Sequence, residues 1–208
     1  DIKLMGAKIV KGALDVSAGK WAITVGDYEG PDIKEKTLMS WFSFQNNAVI
    51  KGSILCIDKI SGDHFDSIVY AERQPNQWMA GSSHFRRTDD FKPGHKDTTK
   101  GEKFMMAITY KGDKTATVKG YRNGKNISGK GYEKGAMVTW VKEDAEAIWG
   151  KRHGSVGGGP GDLDGLIYES RIYGLALIEE EIKGLKEGSL SIEPHDKLTT
   201  KWSIIKGY

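Results

Sequence analysis

The sequence predicts an all-β fold: a two-sheet antiparallel β-sandwich of jelly-roll type, closed by one short C-terminal helix. Three observations carry this. Apolar and β-branched runs of strand length recur along most of the chain, separated by turn residues. The 208 residues include 27 glycines, a density that supplies many turns. Only one segment, near the end, has helical spacing of its apolar residues.

The elements follow in order. "KTLMSWFSF" (Lys36 to Phe44) is aromatic and apolar with partial alternation. "GSILCIDKI" and "DSIVYAER" come next, joined by the turn "SGDHF", and then "QWMAGSSHF", interrupted by Gly81. "KFMMAITY" and "TATVKGYRNG" flank the turn "KGDK". Asn123-Gly124 is the strongest hairpin signal, since both residues tolerate the positive φ of a type I′ turn. "GLIYESRIY" is a late strand. In "IEEEIKGLKEG", Ile178, Ile182 and Leu185 share one helical face. Three glutamates open that segment, where the helix dipole favours negative charge, and Gly188 is the expected stop. Two or three turns cannot stand alone, so the helix must be held by the sheet. "RRTDDFKPGHKDTTKGEK" (Arg86 to Lys103) and "GKRHGSVGGGPGDLDG" lack periodicity and read as long loops, which are often functional or mobile. Residues 1–188 are read as one domain. Residues 189–208, apolar at Trp202, Ile204 and Ile205, are read as an extension packed on it.

Bulk composition excludes several classes. Lys and Arg exceed Asp and Glu by only three, and no basic stripe follows one element, so nucleic acid is not an expected partner. The single cysteine, Cys56, rules out an intrachain disulfide and lies in an apolar run that suits a buried hydrophobe. No run approaches the ~18 apolar residues of a membrane span, so insertion is not expected.

The stretch "DGLIYESRIYGLALIEEEI" resembles the closing signature of laminin-G-like modules of the concanavalin A-like lectin/glucanase superfamily. That signature runs Gly, Ile-Asp-Glu-Val-Arg-Ile-Tyr, Ala-Leu and then Glu-Glu-Ile at a helix start. Gly165, Ile167, Glu169, Arg171, Ile172 and Tyr173 match it, as do Ala176, Leu177, Glu180, Glu181 and Ile182. "FMMAITYKGD", "VKGYRNGKNI" and "LDVSAGKWAITVGD" resemble earlier family strands in the same order. The resemblance implies a jelly roll whose last strand leads into a short helix at a sheet margin, and an extracellular or periplasmic (secreted) location. Tyr168 stands where the family carries an Asp that often contributes to structural calcium, which puts that metal position in doubt.

Catalysis is not expected. Hydrolases of the superfamily carry Glu-x-Asp-x-x-Glu on one strand, so that two carboxylates flank a sugar bond. The nearest run here, "EDAEAIW", places Glu143 and Asp144 side by side, facing opposite ways. A lyase would need a neutralising Arg or His and a base; His84, Arg86 and Arg87 are candidates at one strand end, but a solvated loop flank explains them better. The expected function is non-catalytic recognition of carbohydrate or a glycosylated surface, through Trp78, His84, Arg86, Arg87, Trp149 and His153. Trp78 and Trp149 neighbour polar loops, where a sugar-stacking ring would sit. The arginines suit carboxylate or sulfate. The alternatives are a protein–protein adhesion or scaffold module, and a divergent glycan-cleaving enzyme. Asp162 and Asp164, two hard oxygen donors in a glycine-rich loop, are candidate calcium ligands.

Overall fold

The computed structural model describes residues 1–47, 51–154 and 162–189. The expected extension lies outside the described residues from position 190 onward. The first strands are β1 (Ile2–Met5), β2 (Lys8–Val10), β3 (Ala13–Asp15), β4 (Trp21–Thr24), β5 (Lys36–Phe44), β6 (Gly52–Asp58), β7 (Phe65–Tyr70) and β8 (Trp78–Ser82). They are followed by β9 (Phe104–Lys111), β10 (Thr115–Arg122), β11 (Lys125–Asn126), β12 (Tyr132–Ala136), β13 (Glu146–Trp149), β14 (Gly165–Tyr173) and the helix α1 (Glu179–Gly184). One sheet has the order β1-β4-β13-β6-β7-β8. The other runs β11-β10-β9-β5-β14-β3-β2, with β12 also paired to β10. Every strand pair is antiparallel. The two-sheet sandwich predicted from the sequence is therefore the fold observed.

Successive side chains of a strand point to opposite faces, and β5 is buried on both. Leu38, Phe42 and Phe44 enter the core between the sheets with Ile57, Ile68, Ile108 and Ile167. Met39 and Trp41 join a second cluster with Met105, Tyr121, Tyr173, Leu177 and Ile182. Ile182 belongs to α1, so the helix covers the outer face of the larger sheet. The Glu181 carboxylate accepts the Ile178 N–H at 2.9 Å, satisfying a donor at the helix start. Ile182 is buried as expected, but Ile178 is exposed. The helix ends at Gly184, short of the expected Gly188. The reason lies in β14: Arg171 donates to the Lys186 and Ser189 carbonyls, both at 2.9 Å, and the Gly188 N–H donates to Glu169 at 2.7 Å. These bonds turn the chain back onto the sheet. Asn123 and Gly124 have φ of 48° and 77° and join β10 to β11, as the hairpin signal requires.

Between the sheets lies a buried ionic group. Lys36 opens β5 and places its ammonium 2.9 Å from Asp66 of β7. Arg87 Nε donates to the same carboxylate at 2.8 Å. All three side chains are closed to solvent. The Lys36 ammonium also lies 4.0 Å from the Trp140 ring centre and 4.5 Å from that of Tyr110, which lowers the cost of burying it. Toward the other end of β5 and β7, Trp78 lies among Phe42, Phe44, Tyr70 and Phe104, with ring centres 4.9 to 6.4 Å from its own.

Trp78→Ala should cost about 3–5 kcal/mol of folding stability, the usual price of a large aromatic cavity, as read by urea denaturation. Lys36 gives a pH signature. Burial brings its pKa down to about 8 against the attraction of Asp66. Above that value the unfolded chain binds a proton that the native one does not, so this group's contribution to stability rises with pH up to the ordinary lysine range. The stability of wild type relative to Lys36→Met should therefore rise from pH 8 to 10, by about 2 kcal/mol. A difference that stays flat over this range would show that Lys36 remains charged throughout.

Candidate functional site

The third apolar cluster lies on the outer face of the smaller sheet. Cys56, Phe65 and Ile148 pack there with Trp21 and Ile23. After β13 the chain doubles back over this face. Gly150 N–H donates to the Ser53 carbonyl, the Cys56 thiol to the Arg152 carbonyl at 2.7 Å, and Gly154 N–H to Asp58 at 2.8 Å. Burial, reinforced by nearby carboxylates, pushes the Cys56 thiol well up, so it stays a protonated, packed side chain.

This return path brings His153 onto the sheet. Its ring stacks on Phe65 with centres 5.4 Å apart, and its Nδ1 donates to Asp58 at 2.6 Å. Its Nε2 lies 3.7 Å from Asp63, whose other oxygen is 2.7 Å from His84 Nε2. Behind Asp58 stands Glu146, its direct partner across β6 and β13. Burial first, then the charge and hydrogen bond of Asp58, lift the Glu146 carboxyl to about 7. Burial also raises Asp58, against the pull of Gly154 N–H and His153. A Cβ on Gly154 would sit 2.6 Å from the Glu146 carboxylate and 3.2 Å from that of Asp58, so this position must stay small for the pair to close.

A pocket of about 270 Å³ opens in front of this line. Asp63, Phe65, Glu72, Ser82, Ser83, His84, Phe85, Arg152 and His153 form its walls. The turn Ser83–Phe85 shapes the rim. His84 and Phe85 have φ of 50° and 55°, a left-handed conformation that bulky residues rarely adopt. It turns both rings outward: the His84 side chain is 70% exposed and Phe85 is 40% exposed. Arg86 Nη1 reaches the Asp63 carbonyl at 3.5 Å and His64 Nδ1 at 3.3 Å. Burial, together with Arg87 and Arg86, lowers His64, which favours the neutral ring that can accept from Arg86.

The expected site residues therefore divide. His84 and His153 line the pocket, and Arg86 lies beside it, against the Asp63 carbonyl and the His64 ring. Trp78, Trp149 and Arg87 do not reach it. Trp78 is 2% exposed, and its indole N–H donates to the buried Asp97. Trp149 is fully buried in the inter-sheet core. Neither ring can stack on a sugar, because alternation along β8 and β13 sends both inward. Arg87 is 1% exposed and committed to Asp66 and to the Phe65 and Ala136 carbonyls. Asp162 and Asp164 flank the buried Leu163, which touches Gly52 at the other end of β6 from the pocket. Among the described residues no group of three or more His, Cys, Asp or Glu side chains is placed to hold a metal. Sequence reasoning missed Asp58, Asp63, Glu146, Arg152 and Phe85. Only "SGDHF" carried a local signal, as a turn with acid and imidazole adjacent. The loop from Arg86 to Lys103 has no strand, and Arg87, Phe91 and Asp97 from it are buried as structural anchors.

No family model matches this chain, and no curated protein matches it in sequence. Solved structures match in fold. A Trypanosoma rangeli sialidase aligns with a TM-score of 0.57 at 15% identity over 88% of this chain and 28% of its own. The SAP-like pentraxin of Limulus polyphemus gives 0.51 at 13%, over 88% of this chain and 79% of its own. The full extracellular region of zebrafish Gpr126/Adgrg6 gives 0.53 at 16%, over 89% and 23%. This chain thus spans about a quarter of the sialidase and Gpr126 chains. At such identities the likeness establishes the β-sandwich alone. Among the described residues no helix is long and apolar enough to cross a membrane.

The carboxyl pair has a measurable consequence. A proton held by Glu146 in the native state up to about pH 7 is lost from the unfolded chain at ordinary carboxylate values. This group's contribution to stability is complete below that range and disappears as pH rises through 7. Urea midpoints should fall between pH 5 and 7.5 more steeply for wild type than for Glu146→Gln. Parallel curves would show that the pair is not protonated.

Proposed function

We propose that this chain is a non-catalytic, laminin-G-like recognition module that binds carbohydrate at the pocket between Asp63, His84, Phe85 and His153. One observation carries the reading: two successive left-handed residues hold an imidazole and a phenyl ring out of the fold, at the mouth of a polar pocket. Strained backbone persists where the surrounding structure enforces it, and such positions gather at ligand sites. An exposed aromatic face suits the C–H face of a sugar ring. Carboxylates, imidazoles and guanidinium groups around it suit hydroxyls and any acidic substituent. Phe85 thus takes the role expected of Trp78 and Trp149.

The carboxyl pair supports the absence of catalysis. Glycosidase carboxyls stand about 5–9 Å apart with the scissile bond between them. Asp58 and Glu146 instead face each other as direct cross-strand partners, and Asp58 is already occupied by His153 and Gly154. A sialidase, a pentraxin and an extracellular region among the fold neighbours are compatible with a carbohydrate or adhesion role outside the cell. Calcium at Asp162 and Asp164 belongs to the same proposal.

A second reading, protein–protein adhesion, draws on a different surface. Of the exposed large apolar side chains, Leu4, Ile9, Val10 and Val25 belong to β1, β2 and the residue after β4. Both β1 and β2 are sheet margins with one unpaired edge, a surface open to strand addition.

A glycan array decides between them. One glycan class should bind, and Phe85→Ala should weaken it by roughly tenfold or more without lowering the melting temperature. A parallel array in EDTA tests calcium. A silent array together with a stable protein partner lost on Ile9→Lys would favour adhesion. Release of reducing ends or unsaturated products from polysaccharide would overturn the non-catalytic reading.

A further inference from the structure

We propose that the sugar bound at this pocket is acidic, held by Arg86, and that Glu146 sets its affinity according to pH. The inference rests on the carbohydrate reading above and adds the charge of the ligand and its control.

The first argument is the pairing of the arginines. Arg73, Arg87, Arg122, Arg152 and Arg171 each have a carboxylate within ion-pair distance. Arg86 does not, among the described residues. It is held by a carbonyl and by the His64 ring. Its charge is therefore uncompensated, and its fork remains open to a carboxylate or sulfate beside the pocket. Of the other walls, Arg152 is matched to Glu72, and the His84 ring meets Asp63 at 2.7 Å.

The second argument is the line of groups behind the pocket. Glu146, Asp58, His153, Asp63 and His84 form a line of carboxyl and imidazole groups from the β6–β13 pair to the exposed rim, with a 3.7 Å step between His153 and Asp63. His153 lines the pocket and touches Asp58, so a charge gained at Glu146 is felt one ring away. Other charged groups around Glu146 offer little relief. On β6, Cys56 stays protonated. Lys59, just beyond β6, is paired with Asp144, and Arg152 with Glu72. On the β4 side the neighbours are Trp21 and Ile23, with the Lys151 ammonium 4.8 Å from the Trp21 ring centre. Below about pH 7 Glu146 holds its proton and adds no charge behind His153. Above it, the added negative charge opposes an anionic ligand.

The test is calorimetric titration with three probes: tetragalacturonate, its methyl ester as the uncharged control, and a sulfated disaccharide. The two charged probes stay ionised from pH 6 to 8. At least one should bind, about tenfold or more tighter than the methyl ester, and roughly three- to tenfold tighter at pH 6 than at pH 8. Arg86→Ala should lose the preference for charge. Glu146→Gln should keep at pH 8 the affinity seen at pH 6. Melting curves on both variants separate loss of binding from loss of fold. Equal binding of charged and uncharged probes, or neutral glycans alone binding the array in a Phe85-dependent way, would overturn the inference and leave carbohydrate recognition standing. A pH profile unchanged in Glu146→Gln would assign the effect to the histidines and remove Glu146 from the proposal. No carbohydrate on any platform would overturn both readings.

Discussion

Everything at the pocket depends on the ion group buried between the sheets. Asp66 is the one anion between Lys36 of the larger sheet and Arg87 of the loop after β8. Removing Asp66 would leave two cations without their counter-charge in a dry interior, where an unpaired charge costs several kcal/mol. The group therefore fixes how β5 and β7 face each other. It also fixes the rim. Arg87 donates from its side chain to the Phe65 carbonyl and from its backbone to Ser82 Oγ, while Phe65 N–H donates to Ser83 Oγ. The chain between Ser82 and Arg87 is pinned at both ends by these bonds. With four residues to cross that gap, the turn takes the left-handed path at His84 and Phe85, and their rings have nowhere to go but out. Phe65, held by the same bonds, is the surface on which His153 stacks. Arg87, expected to meet a ligand, instead builds the surface that would.

The closing helix has a related explanation. A sheet buried on one face leaves its other face to water, and β5 and β14 are apolar on both. Met39, Trp41 and Tyr173 would be exposed without Leu177 and Ile182 above them. Arg171 adds a guanidinium over the Trp41 ring at 4.8 Å, covering indole while holding the chain beyond the helix. Six helical residues thus stand because the sheet requires a cover, in line with the weak propensity of so short a segment.

These relations show which parts of the molecule could be read from the residue order. Strands such as Lys36–Phe44 and Phe104–Lys111 announce themselves because their apolar runs are local. The hairpin at Asn123-Gly124 does so because its turn chemistry is local. The helix was visible from Ile182 and its glutamates, but its stop was not, because Arg171 and Glu169 set that stop from a different strand. The site was the least legible part. Asp58 and Glu146 are 88 positions apart and meet only through the register of β6 with β13. Trp78 and Trp149 misled because a polar neighbour in sequence says nothing about which face of a strand a ring occupies. Phe85, in turn, gave no sign, since a positive φ at phenylalanine is dictated by Arg87 and Ser82 and not by phenylalanine.

The carboxyl pair is harder to explain by stability than by use. Two acids facing each other on adjacent strands repel when ionised, and like charges directly opposite destabilise a sheet. Protonation relieves the repulsion only by holding a proton that water would otherwise take near pH 4. An apolar residue at position 146 would join Ile148 and Cys56 in the cluster already on that face, and would remove the cost. The register of β6 with β13 brings the two carboxyls together, and the glycine at 154 leaves them room in their present positions. A fold that keeps a costly acid, a small neighbour to admit it and a stacked imidazole between it and a pocket has arranged a local charge that responds to protons near neutrality. The packing does not need such a charge, whereas a ligand that carries charge would feel it.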